Sequence, residues 1–67
     1  MHEYNLKYII ATETTQPQHL QKFFKSSYDH TGEHKDQFNT NANAFLKFYH
    51  PKEKIELTEV EVIEPLH

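Results

Sequence analysis

The sequence predicts an α+β fold: one helix packed on a small antiparallel three-stranded sheet, in the order β-α-β-β. Three observations predict it. Residues 3–12 and 54–63 alternate apolar and polar side chains, the period of a strand. Residues 16–29 repeat apolar side chains at spacings of three and four, the period of a helix. The chain has 67 residues and no cysteine, which leaves room for a single small domain, 1–67, held without disulfides.

The first strand sets Tyr4, Leu6, Tyr8 and Ile10 on one face. Glu3, Asn5, Lys7 and Ile9 take the other, so one side of this strand is expected to be covered and the other mostly wet. Helix signals follow. Thr15 is a candidate N-cap with Gln18 three residues on, a capping-box spacing, and Pro17 falls in the first turn. Leu20, Phe23, Phe24, Ser27 and Tyr28 then form an apolar stripe, with Gln18, Gln21, Lys22 and Lys25 opposite. The spacing predicts a helix over 16–29, with Gly32, the one glycine, just past its end.

Residues 33–43 read as a loop anchoring Phe38, because Asn39-Thr40-Asn41-Ala42-Asn43 competes with helical hydrogen bonds. The alternative is a helix through Phe38, Ala42, Phe45 and Tyr49, which gives β-α-α-β. Ala44–Tyr49 reads as an aromatic strand that stops at His50-Pro51. A hairpin around His50–Glu53 leads into the last strand, 54–63. There Ile55 and Leu57 share one face and Val60 and Val62 the other, so a β-bulge is expected near Thr58-Glu59. Pro65 ends the strand, and 64–67 are expected to form a frayed tail.

Leu, Ile, Val and Phe make up about a quarter of the chain, just above the level where disorder becomes the default. Five Phe and four Tyr add large buriable areas, so the core is expected to be aromatic. No apolar run is long enough to span a membrane. The opening residues Met1–Asn5 lack the basic start and apolar stretch of a signal peptide. The expected location is therefore cytoplasmic, with no membrane contact.

Composition also excludes chemistry. Without cysteine there is no thiolate metal site. With one glycine there is no phosphate-cradling loop. Ser26, Ser27, His19 and Asp29 supply nucleophile and base types, but no glycine-rich turn supplies oxyanion-stabilising amides. A domain this size rarely builds a cleft of about 300 Å3. No catalytic residue is assigned, no cofactor is expected, and the chain is read as non-enzymatic.

Six histidines stand out: His2, His19, His30, His34, His50 and His67. His30 and His34 are four apart and are the weak metal candidates, since a helix would set both imidazoles on one face. Gly32 lies between them and weakens a helix there. The expectation is therefore no metal.

The net charge is −3, and every basic residue is lysine. Residues 55–67 hold Glu56, Glu59, Glu61 and Glu64 and no lysine, whereas 22–54 are net basic. Nucleic acid is a possible but disfavoured partner: Lys47, Phe48, Lys52 and Lys54 of the 44–54 hairpin offer charge and stacking. The absence of arginine and the acidic last strand oppose it. Protein–protein interaction, or self-association as a homodimer, is the favoured reading. Aromatic side chains that do not fit beneath one helix would surface, and exposed aromatic patches mark interfaces. Phe23, Phe24 and Tyr28 are the helix candidates for a partner surface. Glu59 and Glu61 are candidates for strand-edge pairing, against the plainer reading of a solvated outer face.

No motif identifies a family. A strand ending Ala11-Thr12-Glu13, a helix opening Thr14-Thr15-Gln16-Pro17 and a closing strand Glu59-Val60-Glu61-Val62-Ile63 resemble, in layout alone, small accessory proteins of bacteria and their phages. That likeness carries over no residue role; the expected function, an interaction module of adaptor or inhibitor type, rests on the small size, the aromatic content and the lack of site motifs.

Overall fold

The computed structural model describes residues 2–63. Strands β1 (His2–Ala11) and β2 (Gln18–Ser26) come first. A single 3-10 turn (Gly32–His34) then leads into helix α1 (Lys35–Tyr49), and β3 (Lys54–Ile63) closes the fold. The sheet order is β2-β1-β3, antiparallel throughout. The α+β class and the single helix on a three-stranded antiparallel sheet match the sequence reading. The order does not: it is β-β-α-β rather than β-α-β-β, because the segment expected to be helical is β2 and the helix lies at 35–49.

Residues 18–26 form a strand rather than a helix for a specific reason. Leu20, Phe23, Phe24 and Tyr28 fit a period of three and four, but Leu20, Phe24 and Ser26 also lie on one side of a strand. Lys22 falls between them, and its ammonium lies 4.2 Å from the Tyr49 ring centroid, so it sits on the apolar side without being buried alone. Thr15, the N-cap candidate, closes a turn with Thr12 instead. The Thr12 Oγ1 accepts from the Thr15 N–H at 3.1 Å and lies 2.6 Å from the Thr15 Oγ1. The Thr15 Oγ1 accepts from the Thr12 N–H at 3.3 Å. Hydroxyl-to-backbone bonding of this kind serves turns as readily as helix ends. The turn folds β2 back on β1.

The asparagine-rich segment is helical because its polar groups find partners along the helix. The Asn43 Nδ2 donates to the Asn39 carbonyl at 2.9 Å, and the Gln37 Nε2 donates to the Asn41 Oδ1 at 2.9 Å. Both pairs are four residues apart. The opposite face buries Phe38, Ala42 and Leu46 completely. Burial of such a face outweighs weak propensity. The expected loop at 33–43, the strand at 44–49 and the hairpin after it are thus replaced by the helix that was the alternative. His50-Pro51 does end the element as expected, with the His50 N–H bonding the Leu46 carbonyl at 3.0 Å. Gly32 takes a φ of +85°, a left-handed conformation in which a Cβ is strained.

The core is formed by Tyr4, Leu6, Tyr8 and Ile10 of β1 against Phe38, Ala42 and Leu46 of α1. Leu20 and Phe24 of β2 flank it, as do Ile55, Leu57 and Val60 of β3. Phe38 packs edge-on to Tyr4, and His50 lies against Tyr8, so α1 runs in the same sense as β1. The β1–β3 register shifts by one residue: Lys7 faces Glu59, but Tyr8 faces Leu57. Thr58 is the extra residue, and its Oγ1 donates to the Lys7 carbonyl at 3.0 Å. The bulge expected near Thr58-Glu59 is therefore present. It restores Leu57 and Val60 to the same face. The expectation of a frayed 64–67 lies outside the described residues.

Candidate interaction surface

The two outer strands present different edges. β3 is interrupted by its bulge and bears Glu56, Glu59 and Glu61. Both are devices that blunt strand pairing. Glu59 and Glu61 point to the open face of the sheet, where the Lys7 Nζ lies 3.0 Å and 3.5 Å from their carboxylates. These contacts hold the Lys7 ammonium above the ordinary lysine range: the Glu59 hydrogen bond contributes most, then the charges of both glutamates. The two candidates for edge pairing are thus engaged within the sheet.

β2 pairs with β1 from His2↔Ser26 to Ile10↔Gln18 without a shift in register, and it carries no acidic residue. Phe23 and Phe24 point to opposite faces, since neighbours alternate along a strand. Phe23 lies on the open face and is 76% exposed. Phe24 turns toward α1 and begins an aromatic chain. Its ring centroid is 5.8 Å from Phe38 and 4.9 Å from Phe45. Phe45 is 5.3 Å from Tyr49, and Tyr49 is 5.3 Å from Phe48. This chain runs from the fully buried Phe38 to Phe48, which is 79% exposed, with Tyr49 at 49%. Phe45 and Tyr49 are site residues that the sequence reading did not assign. Their four-residue spacing was visible, but only in the helical alternative.

No family model, no curated protein and no solved structure matches this chain.

Tyr28 does not join this surface. It lies two residues past the C-terminal end of β2, where its carbonyl accepts from the Tyr4 hydroxyl at 3.3 Å and its N–H donates to the Ser26 Oγ at 3.0 Å. Burial pushes the Tyr4 phenol above its ordinary pKa. A backbone hydrogen bond at His30 works the other way, and the Asp29 charge adds to the rise.

The weak metal candidates separate. Gly32 is in the 3-10 turn, so His30 and His34 do not share a helical face. The His30 ring packs on Tyr4 and Phe38, and the His34 ring packs on Tyr28. Among the described residues, no group of three or more histidine or carboxylate side chains is placed to hold a metal ion.

The lysines of the nucleic-acid reading do come together. Lys47, Lys52 and Lys54 line an open groove of about 650 Å3 with Asn43, Glu53 and Ile55. The Lys47 Nζ donates to the Glu53 carbonyl at 3.0 Å. Phe48 is not part of this groove; its aromatic contact is with Tyr49.

One polar side chain on the open face stands apart. Asn5 is buried, its Nδ2 donates to the Gln21 Oε1 at 2.9 Å, and its Oδ1 has no hydrogen-bond partner among the described residues. Sequence alternation placed Asn5 on the wet face but gave no sign that its neighbours cover it.

Proposed function

We propose that this chain is a small non-enzymatic protein-interaction module of adaptor or inhibitor type, acting in the cytoplasm as an accessory protein of bacterial or phage origin. The observation that supports the reading most is the aromatic chain emerging from the core along the β2 flank, from Phe38 through Phe24, Phe45 and Tyr49 to Phe48. Exposed aromatic side chains supply much of the energy of protein recognition. No helix among the described residues is long and apolar enough to cross a membrane. The test compares proteins retained from a lysate by the immobilised chain and by its Phe48→Ser and Phe23→Ser variants. A partner retained by the parent chain and lost with the variants supports the reading. Identical retention by all three overturns it.

A second reading, weak nucleic-acid binding, draws support from the groove of Lys47, Lys52 and Lys54. It predicts anisotropy changes for mixed-sequence single-stranded DNA or RNA at low salt that vanish as salt is raised. No change at low salt removes it.

A further inference from the structure

We propose that the β2 edge pairs with the β2 edge of a second copy of this chain, forming a continuous six-stranded sheet with both helices on one face. This rests on the reading of β2 and its aromatic flank as an interaction surface, and it names the occupant.

The two edges of the sheet are unlike. β3 carries a bulge and three glutamates, so its ladder is distorted and its edge is acidic, both of which disfavour pairing with a second strand. β2 has neither obstacle. Its lysines, which would otherwise guard the edge, are drawn onto the faces: Lys22 over the Tyr49 ring at 4.2 Å, and Lys25 to the Glu3 carboxylate at 3.5 Å. Pro17 lies before the strand, not within it. Unpaired amides and carbonyls along an unguarded edge are a template for another strand.

The sequence of β2 is self-complementary about its middle. An antiparallel pairing centred on Phe23 spans residues 20–26. It sets Phe23 against Phe23 of the other copy, Lys22 against Phe24, Gln21 against Lys25 and Leu20 against Ser26. No like charges stand directly opposite. Aromatic pairs and cation–aromatic pairs are both favourable across strands. Moving the centre to Lys22 would set two ammonium groups together. The two-fold axis through Phe23 also brings the two aromatic flanks, Phe45, Phe48 and Tyr49, toward one another on the helix side.

The exposed area is of the right order. Phe23, Phe48 and Tyr49 remain 76%, 79% and 49% exposed. Given the area an aromatic side chain buries, they offer roughly 400 Å2 per chain, about half of what one partner buries in a standard interface. The strand backbone and Phe24 supply further contact.

Sedimentation of the intact chain, from micromolar to millimolar concentration, tests the proposal. The expected result is a concentration-dependent rise from 8.0 kDa toward twice that mass, with slowed hydrogen exchange at alternate amides of residues 20–26. Phe23→Lys places like charges opposite each other and is expected to weaken association at least about tenfold, with the circular dichroism spectrum unchanged. Phe48→Ser, far from the β1–β2 ladder, serves as the second variant should Phe23→Lys fail to fold. A mass of 8.0 kDa at every concentration overturns the proposal. So does a dimer whose exchange protection falls on β3. A monomer that still loses a lysate partner with Phe48→Ser sinks the dimer and leaves the interaction reading standing. A dimer whose parent and variant chains retain the same proteins does the reverse.

Discussion

Asn5 shows how much one polar atom matters in a core this small. Its Oδ1 is shielded from water with no partner among the described residues, a state that costs about 1–3 kcal/mol. Asparagine is also a poor strand residue. Asn5→Val is therefore expected to raise stability by about 1 kcal/mol in urea unfolding, although it gives up the bond to the exposed Gln21. A fall in the unfolding midpoint would refute this account. Tyr4 and Tyr8 make a second case. Burial raises both phenol pKa values above 10, and Lys7 is raised above 10.5 by Glu59 and Glu61. For all three groups the protonated form is the one favoured by folding. Their contribution is complete below the unfolded pKa values and is lost as pH rises through the raised ones. Stability is thus expected to decline above about pH 10, with tyrosinate absorbance rising together with unfolding. Tyrosinate appearing well before unfolding would contradict the burial.

At the scale of elements, α1 fastens the sheet through three fully buried side chains. Phe38 touches Tyr4, Phe24 and His30. Phe38→Ala is expected to destabilise by about 3–5 kcal/mol, enough to leave a small domain largely unfolded in thermal melts. A loss below 1 kcal/mol would show that the helix is held elsewhere. The same elements show what local sequence carries. The alternation of β1, the phase change of β3 and the stop at Pro51 were legible because each depends on neighbours within a few residues. β2 and α1 were not. Leu20-Gln21-Lys22-Phe23-Phe24 suits either period, and the choice is made by β1, whose Leu6 and Tyr8 lie beside Lys22 and Leu20. The asparagines of α1 read as helix breakers until their partners four residues away are known. Of the candidate site, Phe23 and Phe24 were found on the wrong element, and Phe45 and Tyr49 joined them only through tertiary packing.

The whole molecule carries a net charge of −3 with six histidines. Protonation of all six would bring it to +3. The composition sets the isoelectric point at about 6.0, so the net charge passes through zero there. Solubility is expected to dip sharply near pH 6 and recover on either side, as measured by the supernatant concentration across a pH series. A flat profile between pH 5 and 7.5 would contradict this.

The central position of β1 has a consequence for the order in which the fold assembles. The first strand in the chain is the middle of the sheet, and its two neighbours are the second element and the last. The β1–β2 hairpin closes over a short turn and can form early. The β1–β3 ladder joins residues as far apart as Glu3 and Ile63, and such distant contacts form slowly. During synthesis, the inner edge of β1 stays open until β3 has been made, and the nascent chain is vulnerable to misassociation for that interval.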